Sequence, residues 1–193
     1  FRLKKVLPLN PKQVFEELMR VMSEKQPDYL NKWLKRKNTL NQRKDAYLQN
    51  IPYSYLKVFD FLLSNLPDNT NLHLGNSTPV RYSQLFGSDQ KFNYFSNRGV
   101  SGIDGQVSTA AGNAYANTDL HVLITGDLGF LYDSNGLMNH YLKPNLKIVI
   151  INNAGGGIFR FIDWPIQSGY LEEFFEAKHN WKAEKIAEAF GLN

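Results

Sequence analysis

The chain has 193 residues, 42% hydrophobic and 13% aromatic, with a formal net charge of +4 and no cysteine. That excludes a disulfide framework, thiolate metal ligands and a disordered chain, and it fits a reducing compartment, so a cytoplasmic protein is expected. No apolar run approaches the ~20 residues that span a membrane, and no charged-then-apolar leader opens the sequence.

Residues 1–50 hold twelve Lys/Arg against five Asp/Glu, and residues 51–193 hold ten against thirteen. No nucleic-acid motif accompanies the basic quarter, so Trp33, Leu34 and Leu40, spaced loosely among its charges, read as part of a solvated helical face. Val14, Phe15, Leu18, Val21 and Met22 recur at three-to-four spacing and predict helix over 11–44, divided at Pro27. From Ile51 the texture changes. "YSYLKVFDFLLSNLP" predicts an amphipathic helix closed by Pro67, and "NLHLG" a short strand. "STPVRYSQLF" predicts a helix with Ser77 or Thr78 as cap and Pro79 in its first turn. "KFNYFS" is the next strand, "GIDGQVSTAAGNAYAN" a helix of small residues, and "WKAEKIAEAFGL" a final helix. "HVLIT" and "LKIVII" are apolar enough to be strands buried on both faces of a parallel sheet. Strands and helices alternating at this spacing predict an open, doubly wound parallel α/β sheet over 51–193, preceded by a helical connector in 1–50. The sequence opens on Phe1 and stops soon after a helical pattern, which reads as part of something longer.

Ligands of such sheets bind beyond the carboxyl ends of the strands. There the first apolar run ends in Gly126-Asp127, and the second in Asn152-Asn153 followed by Ala154 and Gly155 to Gly157. Asp127 offers an anionic oxygen and Asn153 a neutral one. The glycine turn can aim a peptide carbonyl, that of Gly155, at the same point. Three oxygens carrying one negative charge suit Mg²⁺, and a diphosphate suits Mg²⁺. No cysteine or histidine lies near either strand end in the sequence, so zinc is not expected. Each motif alone also occurs as an ordinary cap or loop; their joint placement favours the metal reading.

Gly-Asp, some two dozen residues, then Asn-Asn at the end of a hydrophobic strand resembles the signature of thiamine-diphosphate enzymes. With "GNSTPVR", "SNRGVSGIDGQVSTAAG", "GDLGFLYDSNGL" and "NNAGGGIF", most of 51–193 resembles the 2-succinyl-5-enolpyruvyl-6-hydroxy-3-cyclohexene-1-carboxylate synthase family of menaquinone biosynthesis. The resemblance implies a diphosphate-binding domain, with residues 1–50 as the end of a middle domain and its linker. It implies that Asp127, Asn153 and the Gly155 carbonyl hold Mg²⁺ or Mn²⁺, and that Ser101, Gly102, Ile103, Gly126 and Leu128 contact the cofactor, Ile103 beneath its rings. It further implies that Ser77, Arg81 and Arg98 contact acidic substrates and that Ile158 and Phe159 wall the pocket. On spacing alone Ser77 reads as a helix cap, Arg81 as a surface charge, and Ile103, Ile158 and Phe159 as core.

The implied reaction is decarboxylation of 2-oxoglutarate and conjugate addition of the resulting carbanion to isochorismate. The family works as a homodimer or dimer of dimers, with an activating glutamate on a pyrimidine-binding domain of the second subunit, and nothing in this chain matches that domain. The chain alone is therefore expected to be inactive. Gly129 departs from the family, whose members often carry serine there. Other readings are a different thiamine-diphosphate enzyme (a 2-oxo acid decarboxylase or acetolactate synthase), a nucleotide-binding Rossmann module, which lacks its glycine fingerprint here, and a basic binding module built on 1–50.

Overall fold

The computed structural model describes residues 5–22, 27–87 and 91–192. Its backbone groups into two compact units, Phe1–Ile51 and Pro52–Asn193. The first contains α1 (Pro11–Val21) and α2 (Pro27–Asn50). α1 starts on a capping box: the Asn10 side chain accepts from the backbone at its N-terminus, and Gln13 reaches back to the Asn10 N–H.

The second unit is α3 (Tyr55–Asn65), β1 (Asn71–Leu74), α4 (Thr78–Leu85), β2 (Asn93–Phe95), α5 (Gln106–Ala116), β3 (His121–Gly126), α6 (Asp127–Tyr132), β4 (Leu146–Ile151), α7 (Asp163–Gln167) and α8 (Ala183–Ala189). Tight 3₁₀ turns at Ser134–Leu137 and Gly157–Phe161 and a π turn at Leu171–Phe175 fill the connections. The strands form one parallel sheet in the order β2-β1-β3-β4.

Strand alternation sends successive side chains to opposite faces, and each face is covered by its own helices. Val122 and Ile124 of β3 join Leu72 and Leu74 of β1 under Phe59 and Leu63 of α3 and Val80 of α4, with Val149 and Ile151 of β4 against them. Leu123, between them in sequence, faces the other way onto Val107 and Ala110 of α5, Phe130 of α6 and Ala183 of α8, with Ile148 and Ile150 alongside. The sheet is therefore doubly wound, as the alternating pattern predicts. β3 is buried along most of its length, but β4 is only partly buried, because it is an edge strand of the described sheet.

This strand order locates the crevice. β1 leads through α4 to β2 on one side, and β3 leads through α6 to β4 on the other. α4 and α6 pack on opposite faces, so the chain reverses between the carboxyl ends of β1 and β3. Such a switch point leaves a cleft at the strand ends.

Two local readings change. Ser77 holds the N-cap position of α4, but its side chain makes no capping hydrogen bond and its backbone has φ +72°. The small-residue helix starts at Gln106, not at Gly102. The preceding loop is held instead by side chains: Asn76 Nδ2 donates to the carbonyls of Asn97 (2.7 Å) and Gly102 (2.6 Å), and Asn97 Nδ2 to that of Gly105 (3.0 Å).

Candidate active site

A cleft of about 180 Å³ opens at the switch point. Its walls come from the ends of β1 (Asn76, Ser77), β3 (Gly126, Asp127, Leu128) and β4 (Asn153, Gly155), together with Ile103, Ile158 and Phe159. Nine of the residues singled out in the sequence thus meet at one place: Ser77, Ile103, Gly126, Asp127, Leu128, Asn153, Gly155, Ile158 and Phe159. Arg81, Arg98, Ser101 and Gly102 do not line it. Arg81 and Arg98 stand one residue behind the wall. Arg81 Nη1 donates to the Ser77 carbonyl (2.7 Å), and Arg98 Nη1 to Asn76 Oδ1 (2.8 Å). Ser101 is exposed, and its hydroxyl donates to the Arg98 carbonyl at 3.4 Å.

Asp127 is the electrostatic centre. It is buried to 3% exposure at the first turn of α6. Oδ1 accepts the Leu128 N–H (2.8 Å); Oδ2 accepts the N–H groups of Asn153 (3.2 Å) and Gly155 (2.9 Å). The carboxylate therefore fastens the end of β3 to the loop after β4, which explains how two motifs 26 residues apart come to share one cleft. His179 Nε2 lies 3.1 Å from the same Oδ2. The sequence shows no histidine near either strand end, but the fold brings one there from 52 residues away. Among the described residues no Lys or Arg pairs with Asp127, and none lines the cleft. Asn153 is exposed and its side chain hydrogen-bonds Tyr55. The Tyr55 hydroxyl is pushed above its ordinary pKa by burial first, then by the Asp127 charge.

The loop after β4 is held in a strained shape. Ala154 has φ +61° and Gly155 φ +150°, and a Cβ on Gly155 would fall 2.6 Å from the Glu176 carbonyl oxygen. The Gly156 N–H donates to that carbonyl (2.6 Å), and the His179 N–H to the Ala154 carbonyl (3.2 Å). Ser77 (φ +72°) and Ser101 (φ +58°) add further left-handed non-glycine residues around the cleft. Positions of this kind persist only where the surroundings enforce them, and they gather at binding sites. The segment that enforces the loop is itself clamped by ion pairs. Arg160 Nη2 donates to the buried Glu176 (2.8 Å), and exposed Glu172 lies between Lys178 (2.8 Å) and Arg160 (3.4 Å). Phe159 rests against Phe175 (centroids 5.7 Å apart), which Trp164 meets edge-on.

Between the two strand ends the Thr125 hydroxyl donates to Gln106 Oε1 (2.8 Å) in the interior. A Cβ on Gly129 would lie 2.9 Å from that hydroxyl and 3.2 Å from Gln106 Oε1. The space a serine would need at 129 is already taken by this pair.

Residues 75–193 match the model of the thiamine pyrophosphate enzyme family, C-terminal TPP binding domain. The chain belongs to this family. Three relatives, each named 2-succinyl-5-enolpyruvyl-6-hydroxy-3-cyclohexene-1-carboxylate synthase, show how far the similarity runs. That of Desulfotalea psychrophila is 47% identical over 70% of this chain and 25% of its own length. That of Christiangramia forsetii is 43% identical over 81% and 27%, and that of Flavobacterium johnsoniae 39% over 97% and 34%. The chain thus spans about a third or less of the length of these curated relatives.

Within the second unit, Asn76, Tyr55, Gln106 and His179 are the polar residues that sequence reading passed over. Asn76 lies inside a quoted motif and directly after a predicted strand, a position that signals it. Nothing local marks His179. The oxygens of Asp127, Asn153 and the Gly155 peptide are those the sequence assigns to a cation; all three residues line the cleft, and the Gly155 carbonyl also accepts the Gly157 N–H (3.0 Å). Among the described residues no three His, Cys, Asp or Glu side chains cluster, so a cation in this cleft would need amide or peptide oxygens beside one carboxylate. The fit is good on charge as well. A buried carboxylate that no Lys or Arg offsets, in a cleft whose walls carry neither, suits a positive ion beside a diphosphate.

Proposed function

We propose that this chain supplies the cation and diphosphate half of the active site of a 2-succinyl-5-enolpyruvyl-6-hydroxy-3-cyclohexene-1-carboxylate synthase of menaquinone biosynthesis, working in the cytoplasm on 2-oxoglutarate and isochorismate. The carrying observation is the Asp127 carboxylate, buried at the switch point and hydrogen-bonded to the loop that presents Asn153 and Gly155. Thiamine diphosphate, when bound, supplies the electron sink for decarboxylation and carbon–carbon bond formation. Asp127, Asn153 and the Gly155 carbonyl hold its Mg²⁺ or Mn²⁺; hard oxygen donors with one net charge suit either ion. Gly126 and Leu128 flank the carboxylate, and Ser101, Gly102 and Ile103 form the opposing loop. Ile103 gives that side of the cleft an apolar wall. Arg98, aimed by Asn76, and Arg81, braced on the Ser77 carbonyl, supply positive charge behind the wall for multiply anionic substrates. Ile158 and Phe159 exclude water from the other side.

In this reading residues 1–50 end a middle domain and its linker, and a second subunit's pyrimidine-binding domain completes the site in a homodimer or a dimer of dimers. The isolated 193-residue chain then binds the cofactor without turnover. The test is the full-length protein incubated with both substrates, following product mass. The expected result is one product that joins the decarboxylated 2-oxo acid to isochorismate. Consumption of 2-oxoglutarate without joining, or a preference for pyruvate, would overturn the substrate assignment and leave the cofactor assignment standing.

A further inference from the structure

The geometry points to His179 as the positioning residue that leaves Asp127 a single oxygen for the cation. This inference rests on the reading of Asp127 as a cation ligand. A carboxylate has about four lone-pair sites, two on each oxygen. Oδ2 is crowded: the N–H groups of Asn153 and Gly155 and the Nε2 of His179 all lie within 3.2 Å. Oδ1 accepts only the Leu128 N–H among the described residues. The donors are thus shared unequally, and Oδ1 keeps the free lone pair.

His179 is built for this single task. Its Nδ1 accepts the Trp181 N–H (3.3 Å), so in the one-proton tautomer Nε2 carries the hydrogen that it donates to Asp127. The ring stacks on Trp181, with centroids 4.9 Å and planes 15° apart. Its own backbone N–H is tied to the Ala154 carbonyl, inside the loop that carries the other oxygen donors. Both side chains are almost wholly buried, at 3% and 4% exposure. A donor so placed fixes which way the carboxylate turns. Groups that orient a metal ligand in this way typically change metal affinity by about 10- to 100-fold when removed.

The test measures Mn²⁺ affinity by electron paramagnetic resonance, with thiamine diphosphate present and no substrate, on the full-length protein and on three variants. His179→Leu removes the donor and is expected to weaken Mn²⁺ binding about tenfold or more. His179→Gln keeps an N–H donor at the Nε2 position and is expected to stay within about threefold of wild type. Asp127→Asn is expected to abolish tight binding. Urea unfolding of each apo variant separates packing from positioning, since a purely structural role lowers stability in both His179 variants and leaves affinity per folded molecule unchanged. That outcome, or equal weakening in the Gln and Leu variants, overturns the inference while the Asp127 result keeps the site reading. Unchanged Mn²⁺ binding in Asp127→Asn overturns both.

Discussion

Gly155→Ala puts the loop after β4 to its most direct test, because the backbone there is one an L-residue rarely adopts. Gly155 has φ +150°, and the added methyl would lie 2.6 Å from the Glu176 carbonyl oxygen, a backbone atom that cannot swing aside. Holding alanine in that conformation costs about 1–3 kcal/mol. Relieving the clash requires residues 176–179 to withdraw, which breaks the Gly156 N–H to Glu176 and His179 N–H to Ala154 bonds. Each is worth about 1 kcal/mol. The sum is about 4 kcal/mol, a large part of the 5–15 kcal/mol that typically holds a domain together. Gly112→Ala is the control. It lies inside α5 with open space around its Cβ, and alanine in a helix interior is expected to stabilise by roughly 0.5–1 kcal/mol. Urea unfolding followed by far-UV circular dichroism reads both. If Gly155→Ala unfolds within about 0.5 kcal/mol of wild type, a bound comparable to that for surface substitutions, the strained-loop account is wrong.

Acid should weaken the sheet at its buried histidine pair. His73 and His121 lie buried 3.1 Å apart, with His121 bonded to Asn117 (2.9 Å), and burial, then the charge of His121, lowers His73 from 6.5 to about 4. The unfolded chain therefore binds the proton first, so stability is full above pH 6.5 and falls as pH drops toward 4, by about 1–2 kcal/mol at pH 5 after allowing for solvent screening. His73→Gln should flatten that decline in thermal melts, and an identical pH dependence would contradict the assignment. Asn76→Ala strips donors from the Asn97 and Gly102 carbonyls and frees Arg98; we expect about 2 kcal/mol lost and, under the proposed function, about a tenfold rise in the full-length protein's KM for the 2-oxo acid, with an unaltered KM counting against Arg98. Gly129→Ala forces its methyl against the Thr125 hydroxyl and should cost about 1–3 kcal/mol, so a wild-type urea midpoint would show that the Thr125–Gln106 pair yields freely.

The parts of this molecule legible in its sequence are those governed by local physics. β3 and β4 stand out as apolar runs, and the pattern itself puts Asp127 and Asn153 at their ends. The start of α5 could not be read, because side chains of Asn76 and Asn97, from outside the helix, hold residues 97–105 in a loop. The short α6 and α7 carry too few residues for a period to show. Ser77 obeys the composition rule for a cap and breaks its geometry, since a positive φ turns the residue away from the capping role. The switch point depends on strand order, and the His179–Asp127 contact on a return of the chain across 52 residues. Neither leaves a mark in a local window.

The central claim is that one carboxylate, one amide and one peptide oxygen hold a divalent ion at the ends of β3 and β4. Anomalous diffraction from crystals of the full-length protein grown with Mn²⁺ and thiamine diphosphate tests it most directly. We expect a single peak about 2.1–2.3 Å from an Asp127 oxygen, the Asn153 amide oxygen and the Gly155 carbonyl. A peak held by other residues, or a cofactor bound with no ion between its diphosphate and Asp127, would contradict the account.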